Sequence, residues 1–513
     1  MNNANPRRTP FRSITFGALL CAAATPARAQ DARAAQAELA SAVTRVSVAP
    51  VEPPAVCPPP DGTSPDPTLV HTDPSVLARF PLSRVYEQLL SLAGTGEPTA
   101  VDLYRQMWDA LDTAANGTFD APHCDDDGGA INGFPIDCPR PEVSLKKTDP
   151  EIFTPVALFN RFDLSPADGS HCGEYRIIYA LKPRPEDPAI AGRNFIIFEG
   201  ILPNPTPRCG IEACRPVVDF WQGLAKLDPT QKADGLEQFY FKGLAGFQPV
   251  VHPRHYGASG GGGYGQRSGG QIRVNMFVDF QLWQLREFHL VSRCEGPACK
   301  LVLEPVTVKT NPFQTLWNVL EPAPDARAGA FQSTFPAQSL ALSNDAIAQI
   351  SMAIQDTYNA GQSTSQDFRH DYEFQLGLGN PPNPFSDAIQ TELATIGRTD
   401  LTPEDIARRA TTQSCAGCHQ LSNGAALGGK SNPTWPPSRT FVHVDESGFL
   451  SEALWCSFLP ARKAVLDGFS ASPARVCPIR GPVRPTIVLP PNAELPVSVP
   501  VSLTVSGRIA GPN

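Results

Sequence analysis

The spacing of the cysteines is the sequence feature that most constrains how this chain can fold. The sequence contains 13 cysteines, and Cys21 lies in an N-terminal segment with the pattern of an export leader. The twelve that remain form an even set, which in an exported chain indicates a framework of disulfides. Cys209 with Cys214, and Cys294 with Cys299, are pairs separated by only four residues. We therefore expect each of these pairs to close a tight loop.

The other cysteines leave more freedom of pairing. Cys456 and Cys477 flank the end of a predicted helix and form a third candidate pair. Four cysteines are left for two further pairs, of which Cys124 with Cys138 is the shorter closure: Cys57, Cys124, Cys138 and Cys172. Only Cys415 and Cys418 have no assigned disulfide role, so they are candidates for other chemistry.

The first 29 residues predict a signal peptide. Arg7, Arg8 and Arg12 precede an apolar stretch, and Ala27-Arg28-Ala29 offers the small residues that a signal peptidase requires. Lipid attachment at Cys21 is disfavoured because Leu20 is bulky for that motif. We therefore expect the mature chain in the periplasm or outside the cell.

Charge and hydropathy narrow the range of partners. Removal of the leader takes away four arginines and no acid, so the formal net charge falls from −9 to −13. A negative chain disfavours a nucleic-acid partner and suits a basic partner protein. No later segment has the roughly 18 uncharged apolar residues of a spanning helix. We expect no membrane span, and the sequence leaves the oligomeric state open.

Composition and periodicity predict an α+β fold. The 54 prolines favour strands and ordered loops over a helical bundle. Alternating apolar residues predict strands of a central antiparallel domain at 175–181, 194–199, 271–278, 283–291, 301–303 and 306–308. Apolar residues at helical spacing predict helices at 82–92, 101–114, 217–226, 344–358, 387–396, 403–413 and 450–469. Cys294 and Cys299 lie at the tip of a predicted hairpin.

These patterns divide the chain into six regions. They are a signal peptide (1–29), an Ala- and Pro-rich linker (30–79), an N-terminal helical region (80–150), a disulfide-braced β-rich domain (151–312), a helical region (313–475) and a Pro-rich strand tail (476–513). We expect the tail to return to the β-rich domain.

One short motif in the helical region carries chemistry. Cys415-Ala416-Gly417-Cys418-His419 fits C-x-x-C-H, the attachment signature of c-type haem. The two thiols are spaced to add to the two vinyl groups of one haem, and the adjacent imidazole is placed to bind its iron. We therefore predict one covalently bound haem c, held by Cys415, Cys418 and His419.

In this context, residues 400–470 resemble a small c-type cytochrome. An amphipathic helix with Ile406, Ala407 and Ala410 delivers the motif, a polar loop with glycines follows at 423–429, and the segment 453–469 matches the final helix of that fold. The resemblance implies a C-terminal helical cytochrome c-like segment, a function in electron transfer and a redox partner protein.

Many such cytochromes use a methionine as the second protein ligand of the iron. This chain differs from them, because no methionine follows Met352. His443 is the only histidine after His419, so iron ligation by both histidines is the first hypothesis. An open sixth position would instead permit peroxide or small-ligand chemistry, which makes a haem-dependent oxidase or peroxidase an alternative function. Met352 or His370 is the remaining choice of ligand.

Plainer interpretations of the motif stand beside these. Cys415 and Cys418 form, in a second interpretation, a disulfide of a non-redox secreted binding or surface protein. A zinc site with Cys456 and His443 is a third interpretation.

Four other polar segments are interpreted as structural: an acidic loop (125–127), two structured turns (160–163 and 168–174) and a glycine-rich loop (257–265). The neighbouring His252 and His255 are expected at the surface.

Overall fold

The computed structural model describes residues 65–94, 98–108, 129–136, 149–182, 193–257, 270–278, 282–295, 298–320, 323, 325–365 and 367–473. Several predicted features lie outside these residues. They are the signal peptide, the first part of the linker, the acidic loop at 125–127, nearly all of the glycine-rich loop, the cysteines 57, 124, 138 and 477, and the Pro-rich tail.

An antiparallel sheet of eight strands organises the molecule. Its strands are β1 (Val70–His71), β4 (Phe153–Arg161), β5 (His171–Leu181), β6 (Asn194–Pro203), β7 (Gln271–Val278), β8 (Leu282–Glu295), β9 (Ala298–Val306) and β10 (Ser363–Thr364). The order is β1-β4-β5-β6-β7-β8-β10, and β9 pairs with β8. Two short strands, β2 (Ala130–Ile131) and β3 (Phe134–Pro135), form a separate pair. With the helices below, the sheet confirms the predicted α+β class.

Alternation along the strands gives the sheet two different faces. Tyr175, Ile177 and Tyr179 of β5 are buried on one face, which we call the packed face. Glu174 and Arg176 point to the other side, because successive side chains of a strand lie on opposite faces. The register pairs Arg176 with Glu199 of β6, so the second face carries charges across neighbouring strands.

Helices from the first half of the chain cover the packed face. They are α1 (Pro74–Leu77), α2 (Leu82–Ala93), α3 (Ala100–Gln106), α4 (Arg215–Leu224) and α5 (Pro229–Glu237). Trp221 of α4 stacks on Tyr175 with ring centroids 5.9 Å apart, and Tyr86 of α2 contacts the ring of Phe198 edge-on. Aromatic side chains bury the most apolar area per residue, so these contacts anchor the main core.

A second core forms among helices of the C-terminal half. These helices are α6 (Ala328–Thr334), α7 (Ser339–Leu342), α8 (Tyr372–Gly377), α9 (Pro384–Thr395) and α10 (Pro403–Thr411). The last helix, α11 (Leu459–Ala471), instead contributes Leu466 and Phe469 to the main core. Trp317 stacks on Tyr372 of α8 with centroids 4.5 Å apart, and Phe385 of α9 and Ile406 of α10 are buried in the same cluster. A π-helical segment, Ala453–Phe458, leads directly into α11.

Two disulfides are resolved, and one of them corrects the sequence interpretation. Cys294 and Cys299 are bonded at the β8–β9 hairpin, as predicted. Cys214, however, bonds to Cys172 at the start of β5 and not to Cys209. The pairing joins the sheet to the segment before α4, 42 residues further along the chain. Cys209 is also disulfide-bonded, as is Cys456. Such bonds persist in oxidising compartments.

The predicted helix at 344–358 is wrong. This stretch contains two short 3-10 turns, Ile347–Gln349 and Asp356–Tyr358, separated by extended residues. Buried Arg409 takes the carbonyl oxygens of Leu342 and Asn344 as hydrogen-bond acceptors. The carbonyl oxygen of Asn344, the first of the predicted helix, thus has a side-chain donor, and no helical hydrogen-bond ladder continues from it.

Residues assigned from the sequence to other regions join the sheet. β1 and the buried Leu69 lie in the predicted linker, and β10 lies in the predicted helical region. The folded chain thus begins earlier than Phe80, and its sheet extends beyond residues 151–312. Among the described helices, none has both the length and the apolar composition needed to cross a bilayer.

Candidate cofactor site

The Cys415–His419 motif directly follows helix α10. That helix begins after Thr402, whose side chain forms a reciprocal capping box with Asp405, and it ends at Thr411, two residues before the predicted end at residue 413. One wide helical turn, Gly417–Leu421, then carries Cys418 and His419. The backbone amide of Ala416 donates to Ser363 Oγ at 3.0 Å, which fastens the motif to strand β10.

Gly417 is required by a close backbone approach. A Cβ atom at this position would lie 1.6 Å from the carbonyl oxygen of Thr411. No other residue fits there, because the obstructing atom belongs to the main chain. The tight approach brings the two cysteines and His419 into one compact turn.

Both cysteines of the motif are free thiols. They are not bonded to each other, which differs from the disulfide interpretation. Burial raises the pKa of Cys415 to about 12 and that of Cys418 to about 11, despite nearby arginines. Redox-active C-x-x-C pairs have the opposite property, a lowered thiol pKa. The site therefore does not resemble the active site of a disulfide oxidoreductase.

His419 is held in one orientation by its neighbours. Its Nδ1 donates to the carbonyl oxygen of Phe441 at 2.8 Å, and its ring stacks on Trp283 of β8 with centroids 5.0 Å apart. Burial lowers its pKa to about 4, so the imidazole is neutral. No described residue makes a hydrogen bond to Nε2. A histidine fixed through one nitrogen to a carbonyl is the usual arrangement of a metal ligand.

His443 lies beside the motif. Its Nε2 is 3.2 Å from Cys418 Sγ, and its Nδ1 is 2.9 Å from Ser451 Oγ. Burial, with a contribution from His419, lowers its pKa. The rings of His419 and His443 have centroids 4.7 Å apart. The structure therefore brings together all four residues that the sequence nominated.

These residues border a cavity of about 880 Å³. The volume is within the range of cofactor and small-molecule sites, which is about 300–1,000 Å³. Met352 and Trp435 also line it, while His370 does not. His370 is fully buried elsewhere, with its Nδ1 accepting from the amide of Thr364. Two free thiols, an oriented imidazole and this space together fit a covalently bound haem.

The second face of the sheet forms one wall of the cavity, which we call the charged wall. It contains four cations of the sheet and the segment after it: Arg161, Arg176, Arg273 and Lys309. Glu174 and Asp163 lie among them, and Glu199 and Glu287 are fully buried behind them. Arg462 of α11 faces the same space.

Sequence reasoning missed the charged wall. A signal was present, because Glu174 and Arg176 alternate with apolar residues within one strand, and Arg273 does so in another. Such alternation predicts a polar face. The 160–163 and 168–174 segments were interpreted as turns, and Arg161, Asp163 and Glu174 from them belong to the wall.

Two other interpretations are corrected. His255 is fully buried, with its Nδ1 bonded to the carbonyl oxygen of Val250, and is not a surface histidine. The zinc interpretation fails because the sulfur of Cys456 is in a disulfide. The described residues contain no cluster of three or more His, Cys, Asp or Glu side chains suited to a metal ion. A haem iron needs only one or two protein ligands, because the porphyrin supplies the others.

Comparison of the chain with protein-family models, with curated proteins and with solved structures finds no match in any of the three. The function therefore has to be argued from the site itself.

Proposed function

We propose that this chain is an exported c-type haem protein that transfers electrons through one haem, attached to Cys415 and Cys418 and ligated by His419. The observation that carries the proposal is the hydrogen bond from His419 Nδ1 to Phe441, which leaves Nε2 without a hydrogen bond from a described residue, in a side chain that borders the same cavity as both free thiols. The bound haem would supply reversible one-electron chemistry.

The chain's own residues would position and enclose the group. Cys415 and Cys418 would hold it by thioether bonds, and the Phe441 carbonyl and Trp283 would keep His419 in place. Trp435 and the apolar side chains of the cavity would exclude water, which affects the reduction potential. We also propose a periplasmic or extracellular location and a protein redox partner, which the disulfides and the acidic charge support.

The sixth ligand is proposed to be His443, with Met352 as the alternative. To hold one iron together, the two imidazoles would have to leave room for the metal between their ring nitrogens. The present 4.7 Å between the rings of His419 and His443 is short for that arrangement. Ligation by His443 therefore requires this side chain to leave Cys418, a contact that attachment of the sulfur would also change.

A haem-dependent oxidase or peroxidase is the second candidate function. The charged wall favours it, because a polar surface inside the cofactor cavity offers groups that can orient a substrate. In that case the sixth position stays open.

The decisive experiment is production of the mature chain with the haem-attachment machinery, followed by a pyridine haemochrome spectrum. We expect the spectrum of a haem with two thioether bonds, and colour that remains with the polypeptide after acid–acetone extraction. The double variant Cys415→Ala/Cys418→Ala should lose the colour. His419→Ala should lose or strongly reduce it. The double variant Cys294→Ala/Cys299→Ala, which removes two cysteines far from the motif, is the matched control and should keep it.

Spectra of the reduced protein with carbon monoxide separate the two candidate functions. Slow or absent binding supports electron transfer with two protein ligands, and prompt binding supports the oxidase or peroxidase. His443→Ala and Met352→Leu then identify the ligand, because only loss of the true ligand opens the site. A wild-type chain that emerges colourless from cells that mature other c-type cytochromes would refute the proposal.

A further inference from the structure

The charged wall has more positive than negative charge. Five cations line the cavity, Arg161, Arg176, Arg273, Lys309 and Arg462, against the two carboxylates of Asp163 and Glu174. Glu199 and Glu287, behind the wall, add two negative charges. One positive charge is left even when all four carboxylates are ionised.

The carboxylates are already occupied by the arginines of the sheet. Asp163 accepts two hydrogen bonds from Arg161, both at 2.9 Å. Glu199 lies between Arg176 and Arg273, at 3.0 and 3.2 Å from them. Glu287 pairs with Arg273 at 2.6 Å. These contacts satisfy the three arginines that the strands carry.

Arg462 has only one long ion pair, to a carboxylate that Arg161 already occupies. Its side chain is only 12% exposed, and its guanidinium makes no hydrogen bond with any described residue. The single carboxylate in range is Asp163, at 4.0 Å, and that oxygen already accepts from Arg161. Burial and the nearby Arg161 and Arg176 lower the pKa of Arg462. Guanidinium groups have five donors in a planar fork that matches a carboxylate.

Apolar side chains line a further part of the cavity, beside polar ones such as Asn275 and Gln413. Phe195 and Ile197 of β6, Val442 and Val444 of the loop after the motif, and Phe458 before α11 all line it. A ligand that satisfies Arg462 therefore has one negative end and an apolar body. Planar anions that bind arginine in two places suit this geometry better than a spherical ion.

We propose that the charged wall binds the carboxylate of an apolar organic acid, with Arg462 donating directly to it. The inference uses none of the residues of the motif; it rests on the proposed function where the acid is part of a porphyrin, and goes beyond it where the acid is a separate molecule. Two sources share this chemistry: a propionate group of a porphyrin in the cavity, and a separate organic acid.

Calorimetric titration of the full mature chain, produced without haem-attachment machinery, tests the site. Octanoate is the probe and octanamide its neutral counterpart. We expect octanoate to bind at least about tenfold more tightly than octanamide, the gain of a charge-assisted bidentate contact. Arg462→Gln should remove this preference, and Arg462→Lys should keep part of it. The matched control is Arg293→Gln, which removes an exposed arginine at the end of β8 and should change nothing.

Repeating the titration on haem-loaded protein distinguishes the sources. Loss of octanoate binding assigns the wall to the propionates, and retained binding assigns it to a separate acid. Equal affinities for octanoate and octanamide, no binding of either, or an Arg462→Gln variant equal to wild type would overturn the proposal. If that variant does not fold, the comparison of the two probes on wild type and on Arg462→Lys decides. Failure of the chain to acquire haem leaves the haem-free titration fully informative.

Discussion

The two faces of the central sheet use the same strands for opposite purposes. On the packed face, Tyr175 stacks on Trp221 of α4, and Tyr179 is fully buried against Phe198. On the other face, Glu174 and Arg176 border an open cavity. Buried ion pairs contribute little net stability compared with packed apolar residues. We infer from this contrast that most of the stability of the sheet comes from the packed face, and that the charged wall serves to bind a ligand.

The test of this contrast with the largest expected change in stability replaces one aromatic residue on each face. Trp221→Ala on the packed face should lower the free energy of unfolding by about 4 kcal/mol, because it leaves a void in close packing. Phe195→Ala borders existing space, so only the transfer term of about 2 kcal/mol should be lost. Urea unfolding followed by circular dichroism measures both. Equal losses would show that the cavity side is packed as tightly as the other face.

A second test addresses the charged wall. Although burial opposes ionisation, Arg176 and Arg161 lower the pKa of Glu174 to about 2. Glu174→Gln should therefore cost about 3 kcal/mol at pH 7, the free energy that such a shift carries. The folded pKa lies below the unfolded value, so this stabilisation is complete above about pH 4.5 and is lost toward pH 2.

Unfolding of wild type and Glu174→Gln at pH 7, 5, 4 and 3 measures that window. The two curves should converge as the pH falls. Glu304→Gln removes a half-exposed partner of Arg293 and should change stability by less than about 1 kcal/mol. If Glu174→Gln lowers the free energy of unfolding by no more than Glu304→Gln does, the charged wall is well hydrated.

A third test concerns acid sensitivity near the packed face. Burial, with a contribution from His252, lowers the pKa of His255 to about 3. The unfolded state takes up a proton at about pH 6.5 and the folded state does not, so stability falls as the pH drops below that value. His255→Gln should flatten this dependence by up to about 1.4 kcal/mol per pH unit.

The measurement is the unfolding free energy between pH 8 and pH 4. Above pH 7.5 the difference between wild type and His255→Gln should be constant, which is the internal control. An unchanged slope below pH 6 would show that the folded protein admits the proton, and that this side of the sheet opens more readily than the packing suggests.

Local patterns in the sequence predicted much of the fold. Strand β7 was predicted with its observed ends, and α2 within one residue, because alternation and helical spacing are properties of neighbouring residues. The start of α10 was predicted at Pro403, where it is observed, for the same reason. The site motif was also visible, since the five residues from Cys415 to His419 are contiguous.

Features that depend on distant contacts were not predictable. Cys214 is bonded to Cys172 because the fold places the start of β5 beside the segment before α4. The spacing of neighbouring cysteines in the sequence does not show this proximity. Residues 344–358 have the composition of a helix, but arginines from α10 and the turn before it bind the carbonyl oxygens of Ser343 and Asn344 at the start of the segment. Arg462 resembles an ordinary surface residue of a helix until the sheet is placed opposite it.

The pairing register of β5 makes this protein more sensitive to chain length than to substitution. Adding one residue between Cys172 and Glu174 would rotate every later side chain of the strand to the opposite side, sending Tyr175 toward the arginines and Arg176 toward Trp221. A library of single replacements would sample each position with its neighbours intact. Only an insertion or deletion would exchange the side chains of the packed face with those of the charged wall in a single change.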